Sequence, residues 1–181
     1  MARASSYGIA LGLTKGLIMA LGAGVIITTA IVFPGAGYLY KEFKKEKWEE
    51  SKKRGMLKST IKRLEKQKLV AWKEINGELR LTLSKNGHKK ILKYKIDELK
   101  LKEQKRWDGL WRVIIFDIPE KNKLGRERFR KKLNELKFFQ LQKSVFVTKL
   151  ECREEMSFLA SSFGIPNNVH YILAREIEGL G

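Results

Sequence analysis

The most constraining feature of the chain is a six-residue strand pattern, Trp111 to Phe116, whose side chains are apolar on both alternating faces apart from Arg112. Val113 and Ile115 share one face and Ile114 and Phe116 the other, so both sides of such a strand need covering. The pattern ends on Asp117, and Leu124, Phe129, Leu133 and Leu136 then recur near helical spacing from Asn122 to Lys137. Arg126, Arg128, Arg130, Lys131, Lys132 and Lys137 occupy the rest of that helix, which is therefore amphipathic with a basic outer face. Two strands follow, Phe138 to Leu141 and Ser144 to Leu150, then a helix from Glu151 to Phe163. Gly164, Pro166 and Asn167 break the chain before a last strand, Val169 to Ile177. The order is βαββαβ, the ferredoxin-like arrangement, which by itself hosts many unrelated functions.

The middle of the chain is read the same way. Leu57, Ile61 and Leu64 line one face of a helix from Gly55 to Gln67, while Lys58, Lys62 and Lys66 form an i, i+4 row on another with Ser59 and Arg63 beside it. Leu69 to Ile75 and Glu78 to Leu83 then flank Asn76-Gly77, a dipeptide suited to a two-residue type I′ turn. Ser84 is placed to cap a basic helix running from Lys85 towards Asp97. A helix, a β-hairpin and another helix form the tail of a winged helix-turn-helix. In that arrangement the Gly55 to Gln67 helix enters the major groove, and the wing presents Lys73 and Arg80 to the backbone.

Charge supports the assignment. The chain of 181 residues carries a formal net charge of +18, and residues 41–106 hold 23 basic and 10 acidic residues, far more of the excess than either flank. Attraction to a polyanion is thus concentrated in the middle segment. The expected class is α+β, with apolar helices and a winged helix over residues 1–94, a charged connector over 95–106 and the ferredoxin-like domain over 107–181. Gly16 to Tyr40 is a stretch of 25 residues without a charge, long enough to cross a membrane. Lys41, Lys44, Lys45 and Lys47 behind it would keep the remainder cytoplasmic, anchored at the inner membrane. Glycines, threonines and Pro34 interrupt the stretch as two short helices and a turn would, and such helices complete the core a recognition helix and wing need. The favoured expectation is a buried helix pair in a cytoplasmic protein, with a membrane anchor over residues 16–40 as the alternative.

Asp117 is the candidate for chemistry, since a carboxylate at the end of a strand can bind magnesium or manganese through oxygen. Equally, it can end the strand before Ile118-Pro119 by accepting turn hydrogen bonds. Glu120 falls in the solvated turn before the helix, and no second carboxylate stands at a spacing that completes a metal site. His88 and His170 lie far apart, and the lone Cys152 gives no disulfide, no zinc set and no nucleophilic pair. A phosphate-cradling glycine loop is also missing.

The run from Asp117 through the basic helix to Gln142-Lys143-Ser144-Val145-Phe146 resembles the small CRISPR-associated endonuclease Cas2 and the central domain of PaaX-like transcriptional repressors. The Leu81-Thr82-Leu83-Ser84-Lys85-Asn86-Gly87 run resembles the close of the wing in the latter. The resemblance implies a homodimeric regulator that binds double-stranded DNA through Lys58, Ser59, Lys62, Arg63, Lys66, Lys73 and Arg80, with the open sheet face as its dimer surface and no cofactor. Its alternatives are a magnesium- or manganese-dependent endonuclease using Asp117, whose counterpart in Cas2 lies near the dimer axis, and a structural subunit of CRISPR adaptation. The basic segment from Lys41 to Arg106 counts against both alternatives.

Overall fold

The computed structural model describes residues 2–28 and 46–180, with side chains described from residue 12 in the first stretch and residue 54 in the second. It divides into two compact units, Met1–Lys95 and Ile96–Gly181, each with its own core.

In the first unit α1 runs Ala2–Gly22, α2 Glu46–Lys66, β1 Val70–Ile75, β2 Glu78–Leu83 and α3 Lys85–Glu98. Helix α2 buries Thr60, Ile61 and Leu64 against Ile18 of α1, Val70 and Leu81 of the hairpin and Ile91 of α3. Each fully buried aliphatic side chain there contributes about 1.5–3 kcal/mol. Asn76 and Gly77 take φ of 54° and 76°, the pair of left-handed residues that a type I′ turn requires, and β1 and β2 pair without a slip from Val70↔Leu83 to Ile75↔Glu78. Residues 27–28 add a further short extension, since Thr28 bridges Arg80 and Leu81 N–H donates to the Ile27 carbonyl. Ser84 caps α3 as expected, its hydroxyl accepting from Gly87 N–H at 3.0 Å.

The apolar amino terminus differs from expectation. Helix α1 starts well before Gly16, continues through Lys15 and ends at Gly22, with Gly24 at φ 89° closing a Schellman turn in which Val25 N–H donates to the Ala20 carbonyl. The second helix and the turn expected up to Tyr40 lie outside the described residues. Among the described residues, no helix is long and apolar enough to cross a membrane. Helix α2 also begins nine residues earlier than the Gly55 start, because Glu46 to Arg54 contain no breaker.

The second unit holds β3 Trp111–Phe116, α4 Lys123–Glu135, β4 Phe139–Gln142, β5 Val145–Thr148, α5 Arg153–Ser162 and β6 Val169–Ala174. The sheet order is β4-β5-β3-β6 and every pairing is antiparallel, which is the ferredoxin-like topology read from the sequence. Ile114 and Phe116 project from β3 into a core with Phe129 and Leu133 of α4, Phe146 of β5 and Met156 and Leu159 of α5. The Phe116 ring meets Phe129 edge-on at 5.4 Å and stacks on Phe146 at 5.9 Å. The other face of β3 is partly closed, with Trp111 buried and Val113 and Ile115 half-buried. Residues 95–106, expected as a charged connector, are more than that. Helix α3 continues to Glu98, Ile96, Leu99 and Leu101 pack on the second core, and Lys132 donates to the Asp97 carbonyl at 3.4 Å. The surrounding lysines concealed that apolar triplet.

Candidate nucleic-acid interface

Lys58, Lys62 and Lys66 stand on α2 opposite its buried face, and all three are exposed. Four-residue spacing places them in one row along the helix, as phosphate contacts along a groove require. Ser59 is exposed, and its hydroxyl donates to the Met56 carbonyl at 2.9 Å. Arg63 is turned towards α1, where its guanidinium donates to the Thr14 hydroxyl. It therefore stands apart from the lysine row.

On the hairpin, Lys73 and Arg80 are directly opposite across the strands, so their side chains share a face. Arg80 is engaged by Glu78 at 3.2 Å, and Glu74 is exposed nearby. The two cations of the wing are thus matched by two anions within four residues of the tip. Of the cations predicted from the sequence, the three lysines of α2 stand in one exposed row, whereas Arg80 of the wing is engaged by Glu78.

Asp117 follows β3 and is exposed. Its backbone is clamped, with its N–H donating to the Asn168 carbonyl at 3.1 Å and its own carbonyl accepting from the Asn168 amide at 2.9 Å. The carboxylate is thereby held at the strand end without being used by the turn. Among the described residues no group of three or more histidines, cysteines or carboxylates could hold a metal ion. Glu120 pairs with Arg126 at 2.9 Å and Lys123 at 3.4 Å, and the Arg126 bond holds its carboxyl below the usual range.

The densest polar cluster surrounds Arg112, the one charge in β3. Its buried guanidinium donates to Asp108 at 2.6 and 2.5 Å, to Glu151 at 3.2 and 2.8 Å, and to the carbonyls of Leu110 and Lys149. Tyr171 donates to the other oxygen of Glu151 at 3.1 Å. Arg112 lowers the Asp108 carboxyl to about 2 and also lowers that of Glu151, while burial pushes the Cys152 thiol up to about 12. This cluster buckles the start of β3 to the end of β5 and to β6. Sequence reading missed it, although an isolated arginine in a two-sided apolar strand is the signal that partners must exist.

A search of curated proteins finds no match to the chain. Residues 104–180 match the family model described as the PaaX protein central Cas2-like domain. That span begins among the residues that pack with the second unit and ends with its described residues. Over that span, which is most of the second unit, the chain is similar to the central Cas2-like domain of PaaX proteins.

Proposed function

We propose that this protein is a PaaX-type regulator that binds duplex DNA through helix α2 and dimerises through its Cas2-like domain. The observation that carries the reading is the exposed row Lys58, Lys62 and Lys66 on a helix whose opposite face is buried and which leads into a β-hairpin. Among the described residues, helix α1, the bridge from Thr28 to Arg80, helix α2, the hairpin and helix α3 are compatible with a winged helix, in which the helix before the wing lies in the major groove. The PaaX-like second unit supports a regulatory role, and a two-fold dimer would present two such helices to a pseudo-palindromic site.

Binding of the full chain to duplex DNA is measured across a range of salt. Replacing Lys58, Lys62 and Lys66 together by Ala is expected to weaken binding to all sequences and to reduce the salt slope by roughly one per lysine. The triple change of Arg126, Arg130 and Lys131 is expected to leave the slope nearly unchanged, since Arg126 and Arg130 are engaged by Glu120 and Glu127. An unaltered slope in the α2 variant would remove α2 as the DNA-binding surface.

A further inference from the structure

Trp107 is 41% exposed, although tryptophan is on average a highly buried side chain. Its ring is nonetheless fixed in place. The indole N–H donates to the Leu110 carbonyl at 2.9 Å, and the ring meets buried Trp111 edge-on at 5.5 Å and 67°. Lys149, just after β5, holds its ammonium 4.6 Å from the centre of the Trp107 ring and 4.8 Å from that of Trp111. The Lys149 backbone is itself anchored, because its carbonyl accepts from the buried guanidinium of Arg112. A preorganised aromatic surface is thereby presented to water at one end of the sheet.

The free charges beside the ring are positive. Lys105, Arg106 and Lys149 are exposed, and among the described residues none of the three is paired with a carboxylate. Asp108 is adjacent in sequence, but both of its oxygens are taken by Arg112, which lowers its carboxyl to about 2. An open π-face with uncompensated cations around it is the combination that base stacking and phosphate attraction use together.

We infer that Trp107, with Lys105, Arg106 and Lys149, is a contact for single-stranded nucleic acid, in which one unpaired base stacks on the indole and the adjoining phosphates meet the cations. A base inside a duplex has its faces covered by its neighbours, so a single exposed indole fits an unpaired base and not a paired one. Every base has a π-face, and attraction of cations to phosphates carries no sequence information, so the contact tolerates any sequence. The surface belongs to the second unit and stands independently of the duplex contact proposed for α2.

The test uses the full chain with a labelled single strand of thymidine or uridine nucleotides, and with a duplex of the same length. Either single strand is expected to quench indole emission in wild type, and the tighter of the two names the nucleic acid. Trp107→Phe keeps a stacking face, and is expected to keep most of the affinity while losing that quenching. Trp107→Leu is expected to weaken single-strand binding about ten- to a hundred-fold and to leave duplex affinity unchanged. Lys105→Ala with Arg106→Ala changes only exposed side chains, and is expected to lower the salt slope for the single strand by roughly 0.7 per cation. Quenching is expected to persist when Lys58, Lys62 and Lys66 are replaced by Ala, which separates this contact from α2. A Trp107 that only shields Trp111 predicts no quenching. Quenching that is absent or survives Trp107→Phe, or single-strand affinity unchanged in Trp107→Leu, would overturn the inference while leaving α2 as the duplex surface.

Discussion

Arg112 shows how one residue can organise the end of a sheet. A buried guanidinium is tolerable only when its donors are satisfied, and here two carboxylates and two carbonyls satisfy them. Arg112→Met is expected to lower the stability of the Cas2-like domain by about 2 kcal/mol in denaturant titrations, a figure reduced because Asp108 and Glu151 remain half-exposed to water. Both carboxyls are lowered in the folded state, so their contribution is complete above the ordinary carboxylate range near pH 4 and is lost as pH falls towards 2. Stability should therefore be flat from pH 7 to about 5 and decline below about 4, and the decline should be shallower in Arg112→Met. Asp117 is the opposite kind of residue, exposed and uncommitted. Asp117→Asn is expected to leave fold, DNA affinity and dimer mass unchanged, and metal-dependent cleavage present in wild type but abolished by this change would make the protein a nuclease. Asp117's place at a strand end was legible in sequence because apolar alternation stops there. The Arg112 partners were not, because Glu151 lies thirty-nine residues away and no local pattern reports it.

At the level of elements, four helices end with the same device. Gly24, Lys68, Lys137 and Gly164 each adopt positive φ, and the following N–H reaches back to a carbonyl five residues earlier. In two of them a lysine occupies the left-handed position that glycine takes without steric cost. Lys68→Gly and Lys137→Gly are each expected to stabilise their own unit by about 1 kcal/mol, measured as a shift in the denaturation midpoint. The glycine at 87 has the reverse requirement, since an added Cβ would lie 2.1 Å from the Leu69 carbonyl oxygen. Gly87→Ala is expected to cost the first unit about 2 kcal/mol by the same measurement. Strands and the hairpin turn were readable from alternation and Asn-Gly chemistry, and the amphipathic helices from their period. Helix ends at lysine were not readable, because lysine, unlike glycine, carries no preference for positive φ that would mark a stop. The packing role of Ile96, Leu99 and Leu101 was likewise hidden, since three apolar residues among the eight charges of residues 95–106 have no period that local reading can detect.

For the whole molecule, the division of labour is electrostatic as well as topological. Residues 41–106 carry a net +13, from 23 basic and 10 acidic residues, whereas residues 107–181 carry 13 basic and 10 acidic. That asymmetry was fully legible in sequence. The two units also keep separate hydrophobic cores, with no residue common to both clusters. Melting is therefore expected as two calorimetric transitions rather than one, so a single midpoint would not describe the chain. A ligand held by one unit raises only the transition of that unit. Added duplex DNA should move one heat-absorption peak upward and leave the other where it was, so the thermogram itself becomes a map of which half of the chain has been occupied.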